Sequence, residues 1–132
     1  MTLPPDEGNR IIEEVRTIAL GFPEVVERLS HGAPTFFIRG KKVLAHVFQN
    51  HHGDGRLAMW CAAPPGVQAE LVEQEPDRFF VPPYVGHRGW IGLRLDVEPD
   101  VDEIAEILED AYRLVAPKTL VRQLDAVDGD RI

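Results

Sequence analysis

The stretch from Pro82 to Trp90 concentrates side chains that can bind a ligand. Within it or just after it come two aromatic residues, a histidine and two arginines: Tyr84, His87, Arg88, Trp90 and Arg94. Aromatic rings stack on a planar ligand or a nucleobase, and arginine and histidine bind a phosphate or a carboxylate. Two prolines and two glycines restrict the path of this loop, because proline fixes φ and glycine permits positive φ. We therefore predict a ligand-binding site in this loop.

A structural role is the alternative for the same residues. Tyr84 and Trp90 can join the edge of a sheet to the core, and Arg88 can be a solvated loop charge. Phe37 and Arg39 bear on this choice, because a basic and aromatic surface forms if they share the sheet face next to the loop. A shift of one residue in strand register would turn both side chains toward the core.

Three histidines, at positions 46, 51 and 52, raise the question of a metal site, with Asp54 nearby. Adjacent histidines on a strand point to opposite faces, so His51 and His52 cannot both bind one ion without a turn. The chain has no H-E-x-x-H motif or comparable spacing. We predict no metal site.

Residue patterns typical of catalysis are scarce. Cys61 follows Met59 and Trp60 in a predicted strand, which is the setting of an inert, buried thiol. The chain contains no Gly-x-Ser-x-Gly motif, phosphate-binding loop or dinucleotide fingerprint. We expect a binding protein that is not an enzyme and needs no cofactor.

Composition indicates one globular domain spanning residues 1–132, with a loose leader over 1–5 and a flexible tail over 125–132. The net charge is −8, from 22 acidic and 14 basic residues, which argues against a protein that coats nucleic acid broadly. A single cysteine excludes an intrachain disulfide and a cysteine-based zinc site. The acidic start lacks the features of a signal peptide, and the apolar runs are too short to span a bilayer, so we expect a cytoplasmic protein with no membrane contact.

The first half of the chain reads as a helix followed by antiparallel strands. Apolar residues at helical spacing predict a helix from about Asp6 or Gly8 to Leu20, which Gly21 ends. Residues 24–29 are predicted as one or two helical turns. Strands are expected over 35–39, 42–50 and 56–62, joined by glycine-containing turns into an antiparallel meander.

The second half adds a short helix, two extended segments and a long helix. Pro64-Pro65 opens the short helix, and residues 79–81 form a short extended segment. Alternation predicts a strand over 90–97. Asp100 and Glu103 have capping-box spacing before a helix that ends ahead of Ala116, and Leu120 and Leu124 suggest a short amphipathic turn after it. The fold class is therefore α+β: a two-layer sandwich with an antiparallel sheet of about five strands, covered on one face by the N- and C-terminal helices.

Three motifs, in this order along the chain, resemble the MmcQ/YjbR-like family. Ser30–Phe36 with Gly40-Lys41 resembles the start of the family's first hairpin. Pro82–Trp90, with the alternating strand after it, resembles the second hallmark motif of the family. Asp110–Leu120 resembles the closing helix with its Ala-Pro-Lys turn. The resemblance covers nearly the whole chain, and the His51–Gly55 turn and the residues after Leu124 depart from it.

This resemblance implies a CyaY-like (frataxin-like) fold and a DNA-binding function, the second of which rests on fold analogy. It also implies that His31, Lys41 and Lys118 belong to the ligand-binding set. Structural roles are the alternatives: His31 can fix the backbone by a hydrogen bond, and Lys118 suits the negative end of the preceding helix dipole. Frataxins bind iron through an acidic ridge on the first helix, but the glutamates of this helix are too few and scattered to copy it.

Two functional hypotheses follow. The first is a module that binds DNA through the loop and the open sheet face. The second is a domain that binds a small anionic or planar ligand, or a protein, in a pocket around Tyr84, Arg88 and Trp90. A broad positive stripe on the surface would favour the first hypothesis, and an enclosed pocket would favour the second.

Overall fold

A computed structural model describes the backbone of residues 5–129 and the side chains of 6–127. Residues 5–129 contain four helices: α1 Pro5–Leu20, α2 Val67–Gln74, α3 Val101–Val115 and α4 Lys118–Gly129. Six strands form one sheet: β1 Val25–Ser30, β2 Ala33–Ile38, β3 Lys42–Gln49, β4 Leu57–Cys61, β5 Phe79–Phe80 and β6 Ile91–Arg94. Two single turns of 3₁₀ helix cover His51–Gly53 and Gly86–Arg88.

The sheet is antiparallel throughout, with strand order β1-β2-β3-β4-β6-β5. Helices α1 and α3 pack against each other, and α3 packs on β3. The α+β fold class, with helices covering an antiparallel sheet, is therefore confirmed. The sheet has six strands rather than about five.

The additional strand is β1, where one or two helical turns were predicted, and that prediction is wrong. Residues 25–30 pair with β2 from Val25↔Ile38 to Ser30↔Ala33. The connecting residues His31 and Gly32 have φ values of 52° and 75°, the positive angles that a two-residue hairpin turn of type I′ requires. Two adjacent β-branched valines and this turn favour a strand over a helix.

Strand register determines which side chains share a face. Thr35, His46, Trp60 and Gly92 are successive cross-strand partners on β2, β3, β4 and β6. Their neighbours Phe36, Ala45, Cys61 and Ile91 form the next row, which belongs to the buried core. Because strand side chains alternate between faces, the first row lies on the opposite face from this core row.

The C-terminal helices differ from the prediction in extent. Asp100 caps α3 as predicted, since its carboxylate accepts hydrogen bonds from the backbone N–H groups of Asp102 and Glu103. The predicted short turn is the longer helix α4, in which Leu120 and Leu124 are buried. Helix α4 extends through residues 125–129 of the predicted tail, and 130–132 lie outside the described residues. Residues 1–4 of the predicted leader also lie outside them, and Pro5 begins α1.

Candidate functional site

A cavity of about 1050 Å³ opens beside the row that contains His46 and Trp60. Its walls come from the β1–β2 hairpin, strands β3 and β4, the turn after β3, the loop before β6 and Ile12 of α1. The main contributors are Ser30, His31, Pro34, Val43, His46, Phe48, His51, His52, Trp60, Pro83, Tyr84 and Val85. Residues far apart in sequence therefore meet at one concave surface.

A second cavity of about 380 Å³ shares three wall residues with the first: Val43, His46 and Val85. Its other wall residues are Lys42, Arg88, Trp90, Leu114 and Val115. We call the two cavities together the His46 cleft, because His46 lines both of them.

Packed aromatic rings form one wall of the larger cavity. The ring centre of Phe48 lies 4.3 Å from that of Trp60 and 4.7 Å from that of His51. The rings of His51 and Trp60 are 4.8 Å apart at their centres, and Tyr84 approaches His51 edge-on at 6.3 Å. Tilted and edge-to-face contacts of this kind are favourable arrangements of aromatic rings. The indole N–H of Trp60 is buried and has no hydrogen-bond acceptor among the described residues.

His46, which also lines the larger cavity, is held as a neutral imidazole. Burial lowers its pKa to about 4, with a smaller contribution from the charge of His31. Its Nδ1 atom lies 3.1 Å from the hydroxyl oxygen of Thr35, its cross-strand partner. A ring that stays uncharged at neutral pH offers hydrogen bonding rather than charge to a ligand.

His51 and His52 are in contact, with ring centres 4.2 Å apart. The pKa of His51 is lowered, first by burial and then by His52, and Asp54 opposes this shift. Among the side chains that the structure describes, no group of three or more His, Cys, Asp or Glu is arranged to hold a metal ion.

Three of the seven non-glycine residues with a positive φ in the described part of the chain line the larger cavity. His31, His52 and Tyr84 line it, and each has a positive φ, at 52°, 49° and 67°. This region is unfavourable for residues other than glycine, above all for bulky ones such as tyrosine. Strained backbone persists where the surrounding structure enforces it, and it clusters at functional sites.

Four of the predicted site residues meet in the His46 cleft. His31 and Tyr84 line its larger cavity, and Arg88 and Trp90 line its smaller one. The guanidinium carbon of Arg88 lies 5.3 Å from the ring centre of Trp90, and the Trp90 ring lies 6.2 Å from that of His46. Tyr84 is 73% exposed, whereas Trp90 is 5% exposed and belongs to the core as well.

The other four predicted residues lie elsewhere. Lys41, His87 and Lys118 are exposed and line neither cavity. Arg94 donates hydrogen bonds of 2.9 and 3.0 Å to both carboxylate oxygens of Asp96. Their ligand-binding roles stay predictions, and the structure gives Arg94 an ion-pairing role.

The basic and aromatic surface anticipated from Phe37 and Arg39 does not form as a free surface. The guanidinium of Arg28 covers the Phe37 ring at 4.0 Å, and Phe37 is 9% exposed. Arg39 is paired with Glu24 at 3.2 Å. These contacts occupy the groups that a ligand would need.

The floor of the cleft, formed by His46, Phe48 and Trp60, was not predicted from the sequence. His46 was considered only for metal binding and Trp60 only as a neighbour of Cys61 in a predicted strand, and Phe48 and Lys42 were not singled out. The turn at Gly53–Gly55 predicted that β3 and β4 are neighbours. Counting back from it would have placed His46 near Trp60, with Phe48 on the same face of β3.

Cys61 lies on the opposite face of β4 from this floor and is fully buried. Burial, with a smaller contribution from Asp110, raises the pKa of its thiol to about 12. The thiol therefore stays protonated at neutral pH, and its position matches the buried strand setting predicted for it.

Residues 20–114 match the family model described as YjbR, which places the chain in the YjbR family. The family resemblance inferred from the three motifs is thereby confirmed. No curated protein and no solved structure matches the chain significantly, and the CyaY-like relationship stays a prediction. Within the described part of the chain, no helix has the length and apolar character to cross a membrane.

Proposed function

We propose that this YjbR-family protein is a non-enzymatic binding protein that holds a small, planar, anionic ligand in the His46 cleft. The observation that carries this proposal is that an aromatic-walled cavity shares three wall residues with a second cavity, which Lys42 and Arg88 line. A volume of about 1050 Å³ is at the upper limit of small-molecule sites, which are mostly apolar with a few convergent polar groups.

The larger cavity suits the planar part of such a ligand. The rings of Phe48, Trp60, His51 and Tyr84 supply stacking and edge contacts. The buried indole N–H of Trp60 has no acceptor in the part of the chain that the structure describes, and leaving a buried donor unpaired costs about 1–3 kcal/mol. A ligand oxygen or a water molecule that reached this group would recover that free energy.

The smaller cavity suits the anionic part. Lys42 and Arg88 line it, and among the described side chains neither has a carboxylate partner within ion-pairing distance. Lysine and arginine bind carboxylates and phosphates by charge-assisted hydrogen bonds. The overall charge of −8 would restrict anions to this local site.

DNA binding stays a prediction that rests on the family resemblance. Several arginines are paired with carboxylates, including Arg16 with Glu27, Arg39 with Glu24 and Arg94 with Asp96, which reduces the positive surface available to a duplex. One base and one phosphate of a flexible single strand share the chemistry of the ligand proposed above. The absence of catalysis and a cytoplasmic location also stay predictions.

Isothermal titration calorimetry with naphthoate as the probe tests the proposal, and two adjacent lysines provide a matched pair. Lys42 lines the smaller cavity and Lys41 does not. We expect saturable binding that Lys42→Ala weakens about threefold, the usual size of an exposed charge interaction, and that Lys41→Ala leaves unchanged. Tyr84→Ala should weaken binding as well.

A short single-stranded oligonucleotide and its duplex are titrated in parallel at two salt concentrations. Tight, salt-sensitive binding of the duplex without naphthoate binding would overturn the small-ligand proposal in favour of DNA. Equal loss of naphthoate binding in both lysine variants would show that the smaller cavity is not the anion site.

A further inference from the structure

Thr35 connects His46 to the backbone of the β1–β2 hairpin. The Thr35 hydroxyl donates to the carbonyl oxygen of Ala33 at 3.2 Å, and its oxygen lies 3.1 Å from His46 Nδ1. A hydroxyl has one hydrogen and two acceptor lone pairs. With that hydrogen on Ala33, the only hydrogen available to the second contact is one carried by His46 Nδ1.

We infer that Thr35 fixes His46 as the Nδ1–H tautomer, so that His46 Nε2 is a hydrogen-bond acceptor that selects ligands with an N–H or O–H donor. In a neutral imidazole one nitrogen is protonated and the other accepts. No described residue donates to His46 Nε2, and His46 lines both cavities of the cleft. Thr35, fully buried, acts as a positioning residue and His46 as the specificity-determining residue.

An acceptor at His46 Nε2 restricts the planar anions that the cleft would favour to those that carry a hydrogen-bond donor. A planar anion that presents a hydroxyl, amino or ring N–H group would pair with Nε2. An isostere that presents only an acceptor would face the Nε2 lone pair without a hydrogen between them. Sites that pair with a ligand donor reject the analogue that lacks it more strongly than apolar pockets reject a change of size. This inference rests on the proposed small-ligand function.

The tautomer is measured without any ligand. Imidazole ¹⁵N shifts of His46 at neutral pH distinguish an Nδ1–H ring from an Nε2–H ring. We expect Nδ1–H in the wild type and a shift toward Nε2–H in Thr35→Val, which removes the acceptor oxygen while keeping a similar shape. An Nε2–H ring in the wild type would overturn the inference.

Selectivity is measured with hydroxynaphthoate and methoxynaphthoate, each substituted on the ring remote from the carboxylate. We expect the hydroxy probe to bind the wild type about tenfold more tightly, the worth of one partly buried hydrogen bond. That ratio should approach one in His46→Phe and fall in Thr35→Val. His46→Gln, which keeps a polar group that can donate or accept, gives a second variant with a reduced ratio if the phenylalanine variant does not fold.

The outcomes separate this inference from the proposed function. If both probes bind equally, and Tyr84→Ala weakens both, the small-ligand function stands and the role of His46 in selection is overturned. If the two probes and naphthoate all fail to bind, the proposed function fails, and the selective role of His46 fails with it.

Discussion

His46 and Trp60 are direct cross-strand partners on β3 and β4, and both side chains line the larger cavity of the His46 cleft. The floor of the cleft is therefore part of a hydrogen-bonded sheet, whereas its rim comes from loops with left-handed backbone at His31, His52 and Tyr84. A site built on strands holds its groups more precisely than one built on loops alone. The cross-strand pairing with Trp60 therefore holds His46 in a defined position in the cleft.

The depressed pKa of His46 predicts a stability change with pH. The unfolded chain binds a proton at His46 near pH 6.5, whereas the folded chain does so only near pH 4. Stability from this group is therefore complete above pH 6.5 and falls as the pH drops toward 4. Between pH 7.5 and 5 the loss should be about 1 kcal/mol, after allowing for partial exposure of the ring.

Urea unfolding of the wild type and His46→Gln at those two pH values measures this effect. Other titrating groups, such as His51, contribute to both proteins and cancel in the comparison. The wild type should lose more stability than the variant. An equal loss in both proteins would show that His46 is not held neutral by its surroundings.

Replacement by alanine should reduce stability at Arg94 and ligand binding at Arg88. Asp96 is buried, and burial alone would raise its pKa, but hydrogen bonds from Arg94 and from the Leu57 backbone N–H lower it. Arg94→Ala would leave this carboxylate without its ion pair and should destabilise the protein by about 2 kcal/mol. Arg88→Ala should change stability by less than about 0.5 kcal/mol and weaken naphthoate binding.

Chemical denaturation and calorimetry on the same two variants provide the test. A ligand-binding defect in Arg94→Ala with normal stability would contradict the structural role of Arg94. Such a result would support the ligand-binding role that was predicted for Arg94 from the sequence.

The strained backbone of Tyr84 predicts an unusual order of stability. Alanine at a positive φ keeps the strain, and glycine relieves it, so Tyr84→Gly should be more stable than Tyr84→Ala by about 1 kcal/mol. Both variants lose the ring and should bind naphthoate weakly. Leu29, which is exposed on β1 and has no positive φ, is the control. At this position the alanine variant should be more stable than the glycine variant. Thermal unfolding decides the order, and a more stable Tyr84→Ala would contradict it.

Gly92 lies under the ring of Phe80. A Cβ atom at Gly92 would stand 2.4 Å from the Cζ atom of Phe80, and the guanidinium of Arg56 covers that ring at 4.1 Å. Gly92→Ala should therefore destabilise the protein by about 1–3 kcal/mol through overpacking. Adding Phe80→Leu should restore part of the loss.

Gly8 of α1 supplies the control for this substitution. An added Cβ there would meet Leu57 at 3.6 Å, which is ordinary contact, and alanine favours a helix over glycine. Gly8→Ala should be neutral or stabilising by denaturant titration. If Gly92→Ala were equally neutral, Phe80 would not hold the position described.

Local sequence patterns predicted most of the fold. The alternating strands, the glycine turns and the Asp100 cap gave fold class and element order, because each depends on neighbouring residues. Strand β1 was missed because a short segment with glutamate and leucine also suits a helix, and its pairing with β2 is a tertiary contact. The length of α4 was missed for a similar reason, since Leu120 and Leu124 are buried by other elements.

The candidate site was only half predictable. Tyr84, Arg88 and Trp90 are close in sequence and stand out by type. His46, Phe48 and Trp60 join them only through register, and a single residue of shift would have separated them. Arg94 has the right type, but its pairing with Asp96 two residues later depends on how the chain bends after β6.

The two indole N–H resonances of Trp60 and Trp90 give the most direct test of ligand binding in the His46 cleft. One tryptophan lines each cavity, so a two-dimensional ¹H–¹⁵N spectrum recorded during a naphthoate titration reports on both. We predict that both resonances shift and saturate with the same midpoint, because the proposed ligand would occupy both cavities. If neither resonance moves while the protein stays folded, the cleft does not bind this class of ligand.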